Sequence, residues 1–175
     1  FLKMRENRYG RIIFTTSAAG LYGNFGQTNY SAAKTGLVGF MNTLKLEGEK
    51  HDIRVNTVAP VAATRLTEGI LPPDLMEKLK PEFVTPLVLF FCSDQCSDTG
   101  LTMNAGMGFF NRAAVLTGPG TALGDGAEPP TLEDIHKHWD AINTLDGAED
   151  FPNTTASIGP MLDAFNPKKE AADTD

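Results

Sequence analysis

The sequence predicts an α/β fold built on parallel strands, and three observations carry that expectation. A short β-rich run, Gly10 to Ser17, follows a turn-forming glycine. A long helical pattern runs from Thr28 to about Lys50, and a second β-rich run, Ile53 to Ala59, is stopped by Pro60. Two strands joined through a helix form the crossover by which parallel neighbours are connected, and such crossovers are right-handed.

The elements are read in chain order. The first ten residues read as the end of a helix running into a strand, and Phe1 is not an initiator Met, so the chain reads as a piece of a longer protein. The run Gly10 to Ser17 reads as a strand buried on both faces. Ala18 to Gln27 holds Gly20, Gly23 and Gly26 and reads as a loop. In the Thr28–Lys50 helix, Ala33, Leu37, Phe40 and Leu44 form an apolar stripe at helical spacing. A second face carries the small residues Ala32, Gly36 and Gly39. Glycine inside a helix costs about 1 kcal/mol, so two of them point to close backbone packing against a neighbour.

Downstream, Thr64 to Leu79 reads as one or two short helices broken at Pro72-Pro73, and Pro81 to Asp94 as an apolar helix. Leu101 to Asn104 reads as a final strand ending at Gly106. The character changes after about Asn111, which sets the expected boundary between residues 1–111 and an extension over residues 112–175. Thr117 to Pro130 is rich in glycine and proline and reads as loop. Gly118-Pro119-Gly120 and Gly124-Asp125-Gly126 lack both a GK[ST] sequence and a strand before them, which argues against a phosphate cradle. Thr131 opens a helix with a cap-like start and an apolar face of Leu132, Ile135, Trp139 and Ile142. A weak helix follows over Thr154–Phe165, and the polar tail begins at Asn166.

Composition narrows the function classes. The chain has 175 residues, 41% hydrophobic and 21% charged, with a net charge of −7. That acidity argues against nucleic acid or an anionic membrane as the main partner. The longest apolar run, Leu87 to Cys92, is too short to span a bilayer. No signal-peptide, targeting or lipidation pattern is seen, so the expected compartment is the cytoplasm. Cys92 and Cys96 form a C-x3-C pair with no further ligands at metal-site spacing, and they read as small buried hydrophobes at a helix end. His136 and His138 diverge by about 200° on a helix and cannot clasp one ion, while His51 stands apart. No metal site is expected.

The chemistry lies in Tyr30-Ser31-Ala32-Ala33-Lys34. A Tyr and a Lys four apart on a helix share a face. An ammonium held beside a phenol favours the phenolate and so makes a tyrosine usable for proton transfer near neutral pH. Alone the motif is weak. Its context is more specific: it opens a helix after a Gly-rich loop, Ser17 ends the preceding strand, and Asn56-Thr57-Val58-Ala59-Pro60 closes the next one.

This arrangement resembles the short-chain dehydrogenase/reductase family over residues 1 to about 110. Within that family, Gly23-Asn24-Phe25-Gly26-Gln27 and the segment Leu79 to Val88 are similar to the (3R)-hydroxyacyl-CoA dehydrogenase units of type 2 peroxisomal multifunctional enzymes, as is the extension beyond Gly106. The resemblance implies the C-terminal half of a doubly wound, Rossmann-like parallel sheet followed by a mostly helical extension. It implies an oxidoreductase in which Ser17, Tyr30 and Lys34 are catalytic. Tyr30 would exchange the hydroxyl proton, Ser17 would hydrogen-bond the substrate oxygen, and Lys34 would hold the nicotinamide ribose. Pro60, Val61, Ala62 and Thr64 would meet the nicotinamide, and Tyr22 is a weaker candidate for substrate contact.

The implied cofactor is NAD rather than NADP, and the implied substrate is an acyl-CoA in fatty-acid β-oxidation. A homodimer through the Thr28–Lys50 and Pro81–Asp94 helices is also implied. The family's Gly-rich pyrophosphate turn, its ribose-binding acid and its active-site Asn have no counterpart in these residues. Two other readings follow from the same residues: an NADP-linked 3-oxoacyl, steroid or polyol reductase, and a truncated, non-catalytic dimerisation module.

Overall fold

The computed structural model describes residues 1–63 and 72–165. The chain divides into two compact units, Phe1–Ala114 and Val115–Asp175. In the first unit, α1 (Leu2–Asn7) leads into β1 (Gly10–Thr15), then α2 (Ala18–Tyr22), α3 (Thr28–Gly48) and β2 (Ile53–Pro60). α4 (Pro73–Lys78), α5 (Thr85–Cys92), β3 (Thr102–Gly106) and β4 (Phe109–Ala113) follow. Single 3-10 turns lie at Glu49–His51 and Pro81–Phe83.

The four strands make one sheet in the order β1-β2-β3-β4. β1 and β2 are parallel, with Ile12 opposite Val55 and Phe14 opposite Thr57. β2 and β3 are parallel, with Ala59 opposite Asn104, and β4 returns antiparallel to β3. Thus β1, β2 and β3 end on the same edge of the sheet, where an α/β fold presents its ligand-binding groups.

Alternate residues of each strand face opposite sides, and two core clusters result. On one side Met41 and Leu44 of α3 pack on Ile53 and Val55, with Ile12, Phe14 and Met4 at the margin. On the other, Phe91 of α5 packs on Val58 and Ala105 with Cys96, flanked by Ile13, Leu87 and Val88. The sheet is therefore a layer between helices, as an α/β fold requires. Asn56 is buried in β2, where its amide donates to the Asp98 carbonyl at 3.0 Å and its oxygen accepts from Leu101 N at 3.0 Å. One buried side chain thereby ties the middle strand to the segment entering β3.

Several expectations change. The first strand ends at Thr15 rather than Ser17, and the expected loop contains α2, because the Ser17 hydroxyl accepts from Ala19 N and starts a helical turn. Residues 12–14 of β1 are half-buried rather than buried on both faces, since among the described residues β1 has a single strand neighbour. The inward stripe of α3 is Lys34, Val38, Met41, Leu44 and Gly48, while Ala33 and Phe40 are exposed. The apolar Pro81–Asp94 segment is a 3-10 turn followed by the shorter α5. Cys92 is exposed and only Cys96 is buried.

β3 is followed by β4, which the sequence reading did not anticipate. Gly106 pairs with Phe109, so Met107 and Gly108 form a two-residue turn. Both have positive φ, 56° and 77°. That matches the tight turn that fits twisted hairpins, although a methionine disguises it.

The second unit contains α6 (Leu132–Lys137), α7 (Trp139–Ile142) and α8 (Thr154–Phe165). α6 starts on a capping box: the Thr131 hydroxyl accepts from Asp134 N, and the Asp134 carboxylate accepts from Thr131 N. The Thr131 hydroxyl and backbone hydrogen bonds hold the Asp134 carboxyl below its ordinary range. The expected single helix breaks at His138, and Leu132, Ile135 and Trp139 are exposed rather than forming a buried face. Thr117 and Glu149 pair through both backbone groups, at 2.9 and 3.0 Å, and the Gly118 backbone lies against the Thr144 carbonyl. α8 has the expected bounds, with Pro160 inside it. Among the described residues no helix is long and apolar enough to cross a membrane.

Candidate active site

The site is assembled where β1 and β2 end. Ser17 follows β1 and caps α2, its Oγ accepting from Ala19 N at 3.2 Å. An accepting hydroxyl keeps its own hydrogen to donate elsewhere. Tyr30 lies in the first turn of α3, 42% exposed, so its phenol is open to solvent rather than part of the core. Lys34, one turn on, is half-buried.

The Lys34 ammonium donates to the Thr15 carbonyl at 2.9 Å and lies 5.7 Å from the centre of the Tyr30 ring. A lysine on an exposed helix face ordinarily swings freely. Here its head is tethered to the end of β1 while its positive charge stays beside the phenol ring.

Two further contacts hold α3, one to the β1–α2 junction and one to α2. The buried Thr16 hydroxyl donates to the Lys34 carbonyl at 2.6 Å, and the Thr35 hydroxyl donates to the Gly20 carbonyl. Gly20 lies close against α3: a Cβ there would stand 2.7 Å from the Lys34 Cβ and 3.1 Å from Thr35 N. Thr16 and Gly20 therefore set where Lys34 sits, yet neither stood out in the sequence. Threonine at a strand end and glycine in a Gly-rich stretch are common, and only tertiary contact distinguishes these two.

At the end of β2, Pro60 pairs with Ala105 and the chain leaves through Val61, which is 45% exposed. The Val61 N–H donates to the Ala105 carbonyl at 2.8 Å, which commits that donor to the sheet. Gly106 lets β3 approach closely, since a Cβ there would be 3.0 Å from the Val61 Cβ. Ala62 is half-buried, and Thr64 lies outside the described residues. Tyr22, at the end of α2, is 68% exposed, but its hydroxyl accepts from Asn104 Nδ2 at 3.2 Å. Asn104 is a third residue that the sequence did not single out. Among the described residues, no three His, Cys, Asp or Glu side chains are grouped so that they could hold a metal ion.

The arrangement offers an exposed phenol, a fixed ammonium beside it and a serine hydroxyl on the adjoining turn. Chemically it can pass a proton to or from an alcohol oxygen.

Residues 1–71 match the family described as short chain dehydrogenase. A short-chain type dehydrogenase/reductase of Mycobacterium tuberculosis is 48% identical over 145 residues, 83% of this chain and 50% of that protein. Peroxisomal multifunctional enzyme type 2 of Mus musculus is 40% identical over 163 residues, 93% of this chain and 22% of that protein. Among solved structures, full-length peroxisomal multifunctional enzyme type 2 from Drosophila melanogaster superposes with a TM-score of 0.85 at 34% identity. That superposition covers 98% of this chain and 31% of the other. The chain spans half or less of the length of these curated relatives.

Proposed function

The chain belongs, through its matched residues 1–71, to the short-chain dehydrogenase family, and on that premise we propose that it carries the proton-transfer site of an oxidoreductase acting on a secondary alcohol. The substrate we assign is a (3R)-3-hydroxyacyl-CoA, oxidised to the 3-oxoacyl-CoA with NAD. One observation supports this most: the Lys34 ammonium is held between the Thr15 carbonyl and the Tyr30 ring. The resemblance to the (3R)-hydroxyacyl-CoA dehydrogenase units of type 2 peroxisomal multifunctional enzymes, together with a match to one of these enzymes over 93% of this chain, favours an acyl-CoA over a steroid or polyol.

The residues present fit the nicotinamide end of such a cofactor. An ammonium has three hydrogens and Lys34 places one on Thr15, which leaves donors for a ribose diol. Pro60, Val61 and Ala62 lie at the adjoining strand end, and with the Val61 N–H committed, contact would pass through other groups of Val61 and Ala62. NAD, when bound, supplies the acceptor for the hydride.

What remains for the protein is a proton. The Tyr30 phenol oxygen takes it from the substrate hydroxyl in oxidation and returns it in reduction. The Lys34 ammonium, tethered to the Thr15 carbonyl, keeps its positive charge 5.7 Å from the Tyr30 ring centre. The free hydrogen of the Ser17 hydroxyl is directed to the substrate oxygen and fixes its position relative to Tyr30.

The unpartnered side of α3 supports a homodimer. Among the described residues a Cβ on Gly36 or Gly39 would meet nothing within 4 Å, and Leu89 on α5 is exposed, as is Phe40 on α3, whose ring also meets Phe14. The relatives named above include peroxisomal enzymes, which competes with the cytoplasmic expectation drawn from the lack of a targeting pattern.

The reading is tested in the natural full-length protein by following NADH formation. We expect turnover of a (3R)-3-hydroxyacyl-CoA with NAD, and at least about 100-fold less with the (3S) isomer, because a site that positions one oxygen discriminates by geometry. Faster turnover with NADP would overturn the cofactor assignment. Absence of turnover with either isomer would overturn the substrate assignment.

A further inference from the structure

Resting on the substrate reading above, the geometry points to Tyr22 as the residue that binds the acyl carbonyl of the thioester, with Asn104 as its positioning residue.

Tyr22 ends α2, five residues after Ser17, and so starts from the β1 side of the site. Its hydroxyl meets Asn104 on β3, directly opposite Ala59 in β2. The tyrosine therefore reaches from the end of β1 past the end of β2 to β3. The strand end it passes is the one from which Pro60 and Val61 emerge.

The hydrogen-bond roles give the side chain a direction. Asn104 Nδ2 donates both to Tyr22 Oη, at 3.2 Å, and to Asn111 Oδ1, at 2.9 Å. With both amide hydrogens used, Tyr22 Oη is the acceptor, and its own O–H remains to donate. Asn104 and Asn111 sit opposite one another on paired strands, so the anchor is built into the β3–β4 hairpin rather than into a loop.

Packing does not account for this residue. The residue is 68% exposed while its hydroxyl is hydrogen-bonded, the reverse of a core aromatic whose ring is covered. Val61 and Met107 are also exposed at the ends of β2 and β3, and they provide apolar surface on the same edge of the sheet. A donor beside apolar surface suits a ligand carrying a carbonyl on a hydrocarbon chain. A 3-hydroxyacyl thioester places such a carbonyl two carbons from the reacting alcohol. A simple alcohol or polyol does not.

The test is Tyr22→Phe in the full-length protein, which keeps the ring and deletes only the donor. We expect the KM for a (3R)-3-hydroxyacyl-CoA, and its calorimetric Kd in the presence of NAD, to rise about 5- to 10-fold, the range for one lost hydrogen bond. The effect on kcat should be smaller, and the KM for NAD should stay within about twofold. Asn104→Ala should act in the same direction, and the double variant should be no worse than Tyr22→Phe alone, because both remove one interaction. An unchanged thioester KM and Kd in Tyr22→Phe would overturn the assignment, and so would an equal rise in the KM for NAD. A wild-type protein that does not oxidise the thioester would remove the substrate reading and this inference together. Oxidation by wild type with an indifferent Tyr22→Phe removes only this inference.

Discussion

Replacing Tyr30 by Phe should lower kcat for the (3R)-3-hydroxyacyl-CoA by about 1,000-fold while leaving the fold intact. Positioned proton transfer contributes roughly 10²- to 10⁴-fold, and the substitution deletes the one oxygen that performs it. The ring remains, so the apolar contacts of the first turn of α3 remain as well. Tyr30 is 42% exposed and its side chain is absent from both core clusters, so a denaturant midpoint should move little. The backbone contact there, Tyr30 N to Asn29 Oδ1 at 2.9 Å, does not involve the phenol. Activity and stability should therefore separate cleanly. A variant losing both would indicate a structural tyrosine.

Gly20→Ala is expected to couple the two losses. The new methyl would stand 2.7 Å from the Lys34 Cβ, 3.1 Å from the Lys34 backbone carbon and 3.1 Å from Thr35 N. Two of these are backbone atoms in the middle of α3 and cannot rotate away. α2 and α3 must separate, which strains the Thr16 hydroxyl bond to the Lys34 carbonyl and the Thr35 hydroxyl bond to the Gly20 carbonyl. Overpacking of this kind costs about 1–3 kcal/mol. The same shift would pull Lys34 from the Thr15 carbonyl, and a displacement of about 1 Å at a reacting group can cost about 100-fold in rate. Chemical denaturation and kcat measured on one preparation would show both. A variant with wild-type stability and rate would mean that the α2–α3 contact does not set the Lys34 position.

The sequence made some of this architecture legible and concealed the rest for physical reasons. The first two strands and α3 were visible because apolar periodicity and the stop at Pro60 are strong local signals. Tyr30 and Lys34 were visible because helical spacing alone places them on one face. The stripe on α3 was read on Ala33, Leu37, Phe40 and Leu44, whereas Met41, Leu44 and Gly48 are buried, Lys34 is half-buried, and Ala33 and Phe40 are exposed. The period was right, and the phase was set by the sheet that the helix covers. α2 was hidden because three glycines near it read as loop, while a five-residue helix depends on its Ser17 cap rather than on propensity. β4 was hidden because Met107 stands at a left-handed turn position usually marked by Asn or Gly. Thr16 and Asn56, and Asn104 in its contact with Tyr22, act through partners distant in sequence, which no local pattern encodes.

In the proposed reaction this chain handles the proton while the hydride passes from the alcohol carbon of a hydroxyacyl thioester to NAD. This is tested most directly by supplying the full-length protein with a (3R)-3-hydroxyacyl-CoA deuterated at the hydroxyl-bearing carbon, together with NAD, and examining the NADH formed. One deuterium per NADH is expected, with a slower rate than for the undeuterated thioester when transfer limits turnover. NADH without deuterium, or no NADH while the intact protein still binds the thioester, would contradict it.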